Sequence, residues 1–368
     1  MTQTIQRPQP ERQVYVDAMK GLGIILVVWG HFEERFRGVS PIFNGTFECM
    51  YMFHMALFCL CSGLVAKLNI KKWIGQQLWL YLICQVLMAV FRVVVLQEDL
   101  AAGEGGMLGA VLLPWMHMWY LYAMLFWELT VPVLDFLRKK LGIWGGVLGV
   151  AAALLIALFA GNIDWPLKLN RVFAFFPFYA VGVLFRREIA VWARATGKNG
   201  AIRLILGAVA AVWYGHWLLQ ILGRAEPVYE NARIFHDVAY GDGYTMLSRG
   251  AFYLIGTLTA LFLISALGNC KTLASLGKRT LPIYIFHMPV LWFLIQLGVH
   301  DMAATKGIPA LAGWLVLVVG GVVCFFGSKP VCTVCTGIAN LWYKILPSVI
   351  AKAQGNGRQE EKSPTIQN

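Results

Sequence analysis

The residues best placed to do chemistry lie in one apolar stretch near the N-terminus, Val14 to His31, which reads VYVDAMKGLGIILVVWGH. It is long enough to span a membrane as a helix, yet it contains Asp17 and Lys20 towards one end and His31 at the other. Ionisable groups are costly in hydrocarbon, so we treat them as candidates for function. Helical spacing puts Lys20 and His31 on one face, roughly 16 Å apart, with Asp17 one turn below Lys20. This face is expected to contact protein or water rather than lipid.

His31 is followed closely by Glu33 and Glu34. An imidazole beside a carboxylate is the usual arrangement of a general base, because the carboxylate fixes the tautomer and raises the basicity. We therefore predict His31, Glu33 and Glu34 as catalytic residues, and the sequence leaves open which glutamate is the partner. In the plainer interpretation His31 only marks the membrane interface and the acids are solvated. Lys20 then reaches the headgroups, with Asp17 as its ion-pair partner.

Further polar residues interrupt the next apolar stretch, Phe47 to Ala66, which contains His54 and Ser62. His54 either binds a ligand or makes a hydrogen bond within the core, and Ser62 either lines a site or allows close helix packing. Lys71 and Lys72 follow just before another apolar run. They are either ordinary membrane anchors or a receptor for anionic phosphates such as those of coenzyme A.

Two later stretches also mix aromatic and polar residues. The stretch His117–Phe126 contains Trp119 and Tyr122, which favour either an aromatic belt at the membrane boundary or a platform for stacking a sugar. His287 lies two residues before Pro289, which is expected to kink its helix. A histidine beside a kink either lines a cavity or makes a structural hydrogen bond.

The composition shows which elements must position these residues. Of 368 residues, 58% are hydrophobic and only 14% are charged, whereas a soluble domain has about a quarter charged. The net charge of +12 does not form a single basic patch, so no nucleic-acid partner is expected. The pair Cys332 and Cys335 lacks the second pair that a zinc site needs, and no metal is expected.

The chain is predicted to be an all-α integral membrane protein, a bundle of about ten transmembrane helices. Lys and Arg concentrate in alternate loops, which places both termini in the cytoplasm by the positive-inside rule. We divide the chain into a cytoplasmic segment (1–13), a transmembrane domain (14–327) and a partly disordered cytoplasmic tail (328–368). The predicted spans are approximately 14–32, 47–66, 73–96, 112–134, 143–160, 172–186, 201–222, 250–268, 280–298 and 309–327.

Five motifs, taken in order, resemble the membrane-bound acyltransferase family 3, particularly its fucose 4-O-acetylase-like and exopolysaccharide O-acetyltransferase branch. The most specific is D-x-x-K-G followed by an apolar run ending in V-V-x-G-H, from Asp17 to His31. The others are FHMALF with a following Ser-Gly, HMWYLYAMLF, FFPFYAVGVLF and LPIYIFHMPVL. Where relatives often have a basic residue and a proline at the start of the third span, this chain has Gln77 and Tyr81.

The resemblance implies transfer of an acyl group, usually acetyl, from acyl-CoA (acetyl-CoA) to a hydroxyl of a cell-envelope or secreted glycan or a lipid-linked sugar. The expected location is the plasma membrane, as a multi-pass protein of the lipid bilayer. The family's essential histidine corresponds to His31, and its basic residue three turns earlier to Lys20. The predicted donor-binding residues are Lys20, Asp17, Lys71, Lys72 and Ser62, and the predicted acceptor-binding residues are His54, Trp119, Tyr122 and His287. Two alternatives are a transporter or flippase that uses the intramembrane charges as a path, and a sensory or structural membrane module without catalysis.

Overall fold

The computed structural model describes residues 13–195, 200–223, 239–241, 244–341 and 344–345. Within these ranges the protein is almost entirely helical and has no β-strand. Its α-helices are α1 (Val14–Glu33), α2 (Pro41–Tyr51), α3 (His54–Val65), α4 (Ile70–Lys72), α5 (Trp79–Val94), α6 (Gly106–Leu112), α7 (Trp119–Ala160), α8 (Leu169–Leu184), α9 (Arg186–Arg194), α10 (Gly200–Leu222), α11 (Met246–Leu267), α12 (Lys271–Gly277), α13 (Thr280–Gln296), α14 (Val299–Ala304), α15 (Ile308–Phe326) and α16 (Lys329–Ala339).

Eight helical stretches of the described chain are long and apolar enough to cross a membrane. They are Val14–Phe36, Pro41–Val65, Ile70–Val94, Met116–Ala160, Pro166–Leu184, Gly200–Leu222, Met246–Leu267 and Ile308–Phe326, and α13 is a shorter apolar helix. The prediction of an all-α integral membrane protein is confirmed. The predicted span 143–160 and all but the first four residues of the predicted span 112–134 lie within the single stretch Met116–Ala160, and the predicted span 280–298 corresponds to α13.

The stretch Met116–Ala160 doubles back inside α7. Gly142 has φ 60° and ψ −134°, a left-handed conformation that glycine adopts without a steric penalty. The side chain of Arg138 lies over the Phe185 ring, and a Cβ on Gly146 would lie 3.0 Å from the same ring. Residues on both sides of Gly142 therefore contact one end of α8, so the two halves of α7 run alongside each other in opposite directions.

Helix α1 lies at the centre of the bundle, in contact with α2, α3, α11, α12, α13 and α15. Its approach to α12 is so close that a Cβ on Gly21 would lie 2.0 Å from the carbonyl oxygen of Leu273. The Asp17 side chain is only 7% exposed. The face that carries Asp17, Lys20 and His31 is therefore enclosed by protein, as the cost of charge in lipid requires.

Candidate active site

His31 occupies the last turn of α1, where its Nδ1 lies 3.7 Å from Oε2 of Glu34. Glu33 points elsewhere: it is 1% exposed and accepts a hydrogen bond of 2.5 Å from the Thr46 hydroxyl. Residues three apart share a helix face, whereas residues two apart do not. Of the two predicted carboxylate partners, Glu34 lies beside His31, whereas Glu33 is hydrogen-bonded to Thr46 of α2.

His31 and Glu34 line a cavity of about 630 Å³, which we call the outer cavity. A volume of this order is typical of small-ligand sites. The walls also contain Arg35, Arg37 and Arg171, together with Asp301. A ligand in this cavity is therefore surrounded by charged and hydrogen-bonding groups within reach of the His31 imidazole.

The three arginines are each placed over an aromatic ring. The guanidinium carbon of Arg35 lies 5.8 Å from the Trp292 ring centre, and that of Arg171 lies 5.5 Å from the Trp119 ring centre. Arg37 lies 4.5 Å from the centre of the Phe47 ring. Cation–π contacts of this kind hold long side chains in one position. The positive charge of the outer cavity is thus fixed by its surroundings.

Two buried histidines stand beside His31. The ring centroids of His31 and His287 are 5.3 Å apart, and those of His287 and His117 are 4.8 Å apart. His117 lines the outer cavity, and His287 packs between the other two rings. Among the described residues, no three His, Cys, Asp or Glu side chains are arranged to hold a metal ion.

A second cavity, of about 250 Å³, surrounds Lys20 towards the opposite end of α1, and we call it the inner cavity. Ser62, Gln77, Tyr120 and Glu128 also line it. The Ser62 and Tyr120 hydroxyls are hydrogen-bonded to each other, and the Gln77 amide donates to the Glu128 carboxylate. The inner cavity therefore combines the Lys20 cation with the Glu128 carboxyl group and several neutral hydrogen-bonding groups.

Two packed tyrosines connect the wall of one cavity to the wall of the other. The ring centroids of Tyr120 and Tyr284 are 5.8 Å apart, and both side chains are buried. Tyr120 lines the inner cavity, whereas Tyr284 packs against His117 of the outer cavity and donates a hydrogen bond to its backbone carbonyl. We call this pair the aromatic partition.

The other predicted donor-binding residues lie in different surroundings. Asp17 is buried on α1 one turn from Lys20. Lys71 and Lys72 are exposed on α4, outside the set of residues that line the inner cavity. Of the donor-binding predictions, the structure therefore brings together Lys20 and Ser62 at one cavity.

The predicted acceptor-binding residues are also divided. The Trp119 ring stacks on Phe175 at 4.9 Å, and Tyr122 packs against Tyr81 at 5.6 Å. His54 donates from Nδ1 to the Met50 carbonyl at 2.9 Å and does not line the outer cavity. Only His287, of this predicted set, contacts the His31 ring.

The sequence reasoning missed His117 and Tyr120 as site residues, although both belong to the stretch that supplied Trp119 and Tyr122. A signal was available, because His117, Tyr120, Met124 and Glu128 recur at helical spacing. In the structure, Tyr120, Met124 and Glu128 line the inner cavity and His117 lines the outer cavity. Following this face of α7 would have selected these residues.

The enclosed central helix and the two cavities define a multi-pass membrane protein with an internal site, and the comparison with known families identifies its class. Residues 13–329 match the model of acyltransferase family 3, described as an acyltransferase domain. The match covers most of the chain, and the chain belongs to this family of membrane acyltransferases. The resemblance inferred from the five motifs is therefore confirmed.

One relative matches about four fifths of both chains. The nodulation protein NolL of Sinorhizobium fredii (strain NBRC 101917 / NGR234) is 26% identical over 328 residues. The alignment covers 78% of this chain and 81% of the relative. No solved structure matches the chain.

Proposed function

We propose that this acyltransferase moves an acyl group, in the first instance acetyl, from acyl-CoA to a hydroxyl of a cell-envelope or extracellular glycan or its lipid-linked precursor. One observation carries the proposal: α1 places His31 with Glu34 in a large cavity and Lys20 in a second cavity about three turns away. The enzyme works in the plasma membrane, with both termini in the cytoplasm.

His31 acts as the general base. Its Nδ1 lies 3.7 Å from the Glu34 carboxylate, which when ionised can accept a hydrogen bond but cannot donate one, so Nδ1 carries the proton and Nε2 is the free base. Nε2 takes the proton of the acceptor hydroxyl as the hydroxyl oxygen attacks the thioester carbonyl. When the carbon–sulfur bond breaks, the imidazolium returns the proton to the thiolate, which leaves the O-acyl glycan and coenzyme A.

The donor reaches His31 from the Lys20 end. The rise of α1 between the two residues is roughly 16 Å, which an extended pantetheine arm of about 15–20 Å spans. Lys20 and Ser62 bind the donor in the inner cavity, Asp17 supports Lys20, and Lys71 and Lys72 receive the phosphates outside it. The arm passes the partition formed by Tyr120 and Tyr284.

The test compares base-labile O-acetyl groups on the glycans of cells with and without the gene, by mass spectrometry and proton NMR. We expect the acetyl groups to disappear without the gene and to stay absent when His31→Ala is supplied. The matched control is His216→Ala, because His216 lies on α10 outside both cavities. A His31→Ala protein that accumulates normally and still acetylates the glycan contradicts the proposal.

A further inference from the structure

His117, which lines the outer cavity, and His287, which packs against both His117 and His31, each have one ring nitrogen without a hydrogen-bond partner in the described part of the chain. They are Nδ1 of His117 and Nε2 of His287, and the two side chains are 2% and 0% exposed. Buried polar atoms are nearly always hydrogen-bonded, so an unpartnered one requires an explanation. The His287 ring packs against the ring of the catalytic candidate His31, and the His117 ring packs against that of His287.

The second nitrogen of each ring shows which group is missing. Nδ1 of His287 lies 2.7 Å from the Tyr284 carbonyl oxygen and 3.1 Å from that of Ile283, and Nε2 of His117 lies 3.2 Å from that of Ile285. A carbonyl oxygen only accepts, so these nitrogens carry the protons. The unpartnered nitrogens of the neutral rings are therefore acceptors, and each requires a donor such as O–H or N–H.

The position of these acceptors points to the substrate. His117 lines the outer cavity, and His287 lies between His117 and His31. The acceptor sugar of the proposed reaction offers hydroxyl groups on neighbouring carbons, at the spacing of a few ångströms that adjacent imidazoles can bind. An ether or ester oxygen cannot fill this role, because it has no proton to donate.

We propose that His117 and His287 bind the acceptor through hydroxyl groups next to the one that His31 deprotonates. The acceptor is then a carbohydrate or other polyol whose hydroxyls beside the acylation point are free, and prior substitution there excludes it. This inference rests on the proposed function and assigns the acceptor-binding side of the same site. His117 and His287 position the substrate, while His31 handles the proton.

The test measures how the acyl group is partitioned between glycan and water. Membranes containing the full chain and its endogenous acceptor receive labelled acetyl-CoA, and the ratio of glycan-bound label to free acetate is recorded. When the acceptor binds less well, more of the acetyl group is transferred to water, so His117→Phe is expected to lower the ratio about tenfold. His117→Asn, which keeps an acceptor oxygen near the position of Nδ1, is expected to stay within about threefold of the wild type.

The same comparison is made at His287 with two variants. His287→Phe removes the acceptor, whereas His287→Gln keeps an amide oxygen near the position of Nε2. A misfolded fraction lowers both products equally and leaves the ratio unchanged. The matched control is His300, which also has an unpartnered buried nitrogen, Nε2, but stacks on Phe36 at 4.2 Å and does not line the outer cavity. There both Phe and Asn should leave the ratio unchanged, and Phe should accumulate better than Asn.

The inference is overturned if His117→Phe keeps the wild-type ratio, or if Phe outperforms Asn at His117 as it should at His300. Wild-type membranes that neither bind acetyl-CoA nor label the glycan overturn the proposed function, and this inference with it. If the wild type labels the glycan but His117→Phe gives a ratio as high as that of His117→Asn, only the hydroxyl-binding role is overturned.

Discussion

Lys20 and His31 lie on one face of a single helix and line two different cavities. The distance between them is set by the helix itself, because the rise per residue is fixed. In the proposed reaction, the distance from a donor bound near Lys20 to His31 is therefore fixed by a rigid helix and not by flexible loops.

Glu34→Gln is expected to lower acyl transfer about tenfold to a hundredfold without changing the KM for acetyl-CoA, because the amide cannot stabilise the imidazolium as a carboxylate does. Initial rates with the full chain in nanodiscs measure the effect. Glu33→Gln is the control, since Glu33 bonds to Thr46 instead of His31. Equal losses in the two variants would contradict the assignment of Glu34.

Lys20→Gln is expected to raise the KM for acetyl-CoA about tenfold with little change in kcat, because it removes a charged donor from the inner cavity. Lys20→Arg should retain part of the affinity, since it keeps the charge. The exposed residues Lys71 and Lys72 provide a comparison. If the double Gln variant at 71 and 72 has the larger effect on KM, the main phosphate contact lies on α4 and not at Lys20.

Gly21→Ala is expected to destabilise the protein by about 1–3 kcal/mol, because the new Cβ would lie 2.0 Å from the Leu273 carbonyl oxygen and force α1 away from α12. Thermal unfolding in detergent measures the change. Gly215→Ala on α10 is the control, since nothing lies within 4 Å of its Cβ position. Helix propensity favours alanine there by up to about 1 kcal/mol. Similar Tm values for the two variants would show that the close approach of α1 and α12 is not required.

Acid is expected to destabilise the protein through His300. Burial lowers the pKa of His300 to about 4 from its usual 6.5, with Arg35 acting in the same direction and Asp301 against it. The unfolded chain therefore binds a proton at His300 more readily than the folded chain does. The contribution of neutral, buried His300 to the free energy of unfolding is complete above about pH 6.5 and is lost as the pH falls towards 4. The decrease in Tm over this interval should be smaller in His300→Phe, and identical profiles would contradict it.

The sequence was sufficient for the features that depend on local pattern. The length and apolarity of the spans predicted the all-helical membrane fold, and helical spacing placed Lys20 and His31 on one face. The same spacing favours Glu34 over Glu33, because only the residue three positions on shares the face of His31. Applying that rule would have settled the choice without a structure.

Other features depend on how distant segments pack, which no local pattern gives. The reversal at Gly142 joins two predicted spans into one helical stretch. The rotation of α7 about its axis decides that Tyr120 lines the inner cavity while Trp119 stacks on Phe175. His117, just before α7, contacts His287 of α13, although the two residues are far apart in the sequence.

The aromatic partition has a consequence for the rate of the reaction. The rings of Tyr120 and Tyr284 pack 5.8 Å apart, and each hydroxyl is hydrogen-bonded to a neighbouring group. In the proposed reaction the thioester has to pass this pair, so the two side chains must swing aside during each turnover. The speed of that ring motion then sets an upper limit on the rate of acyl transfer.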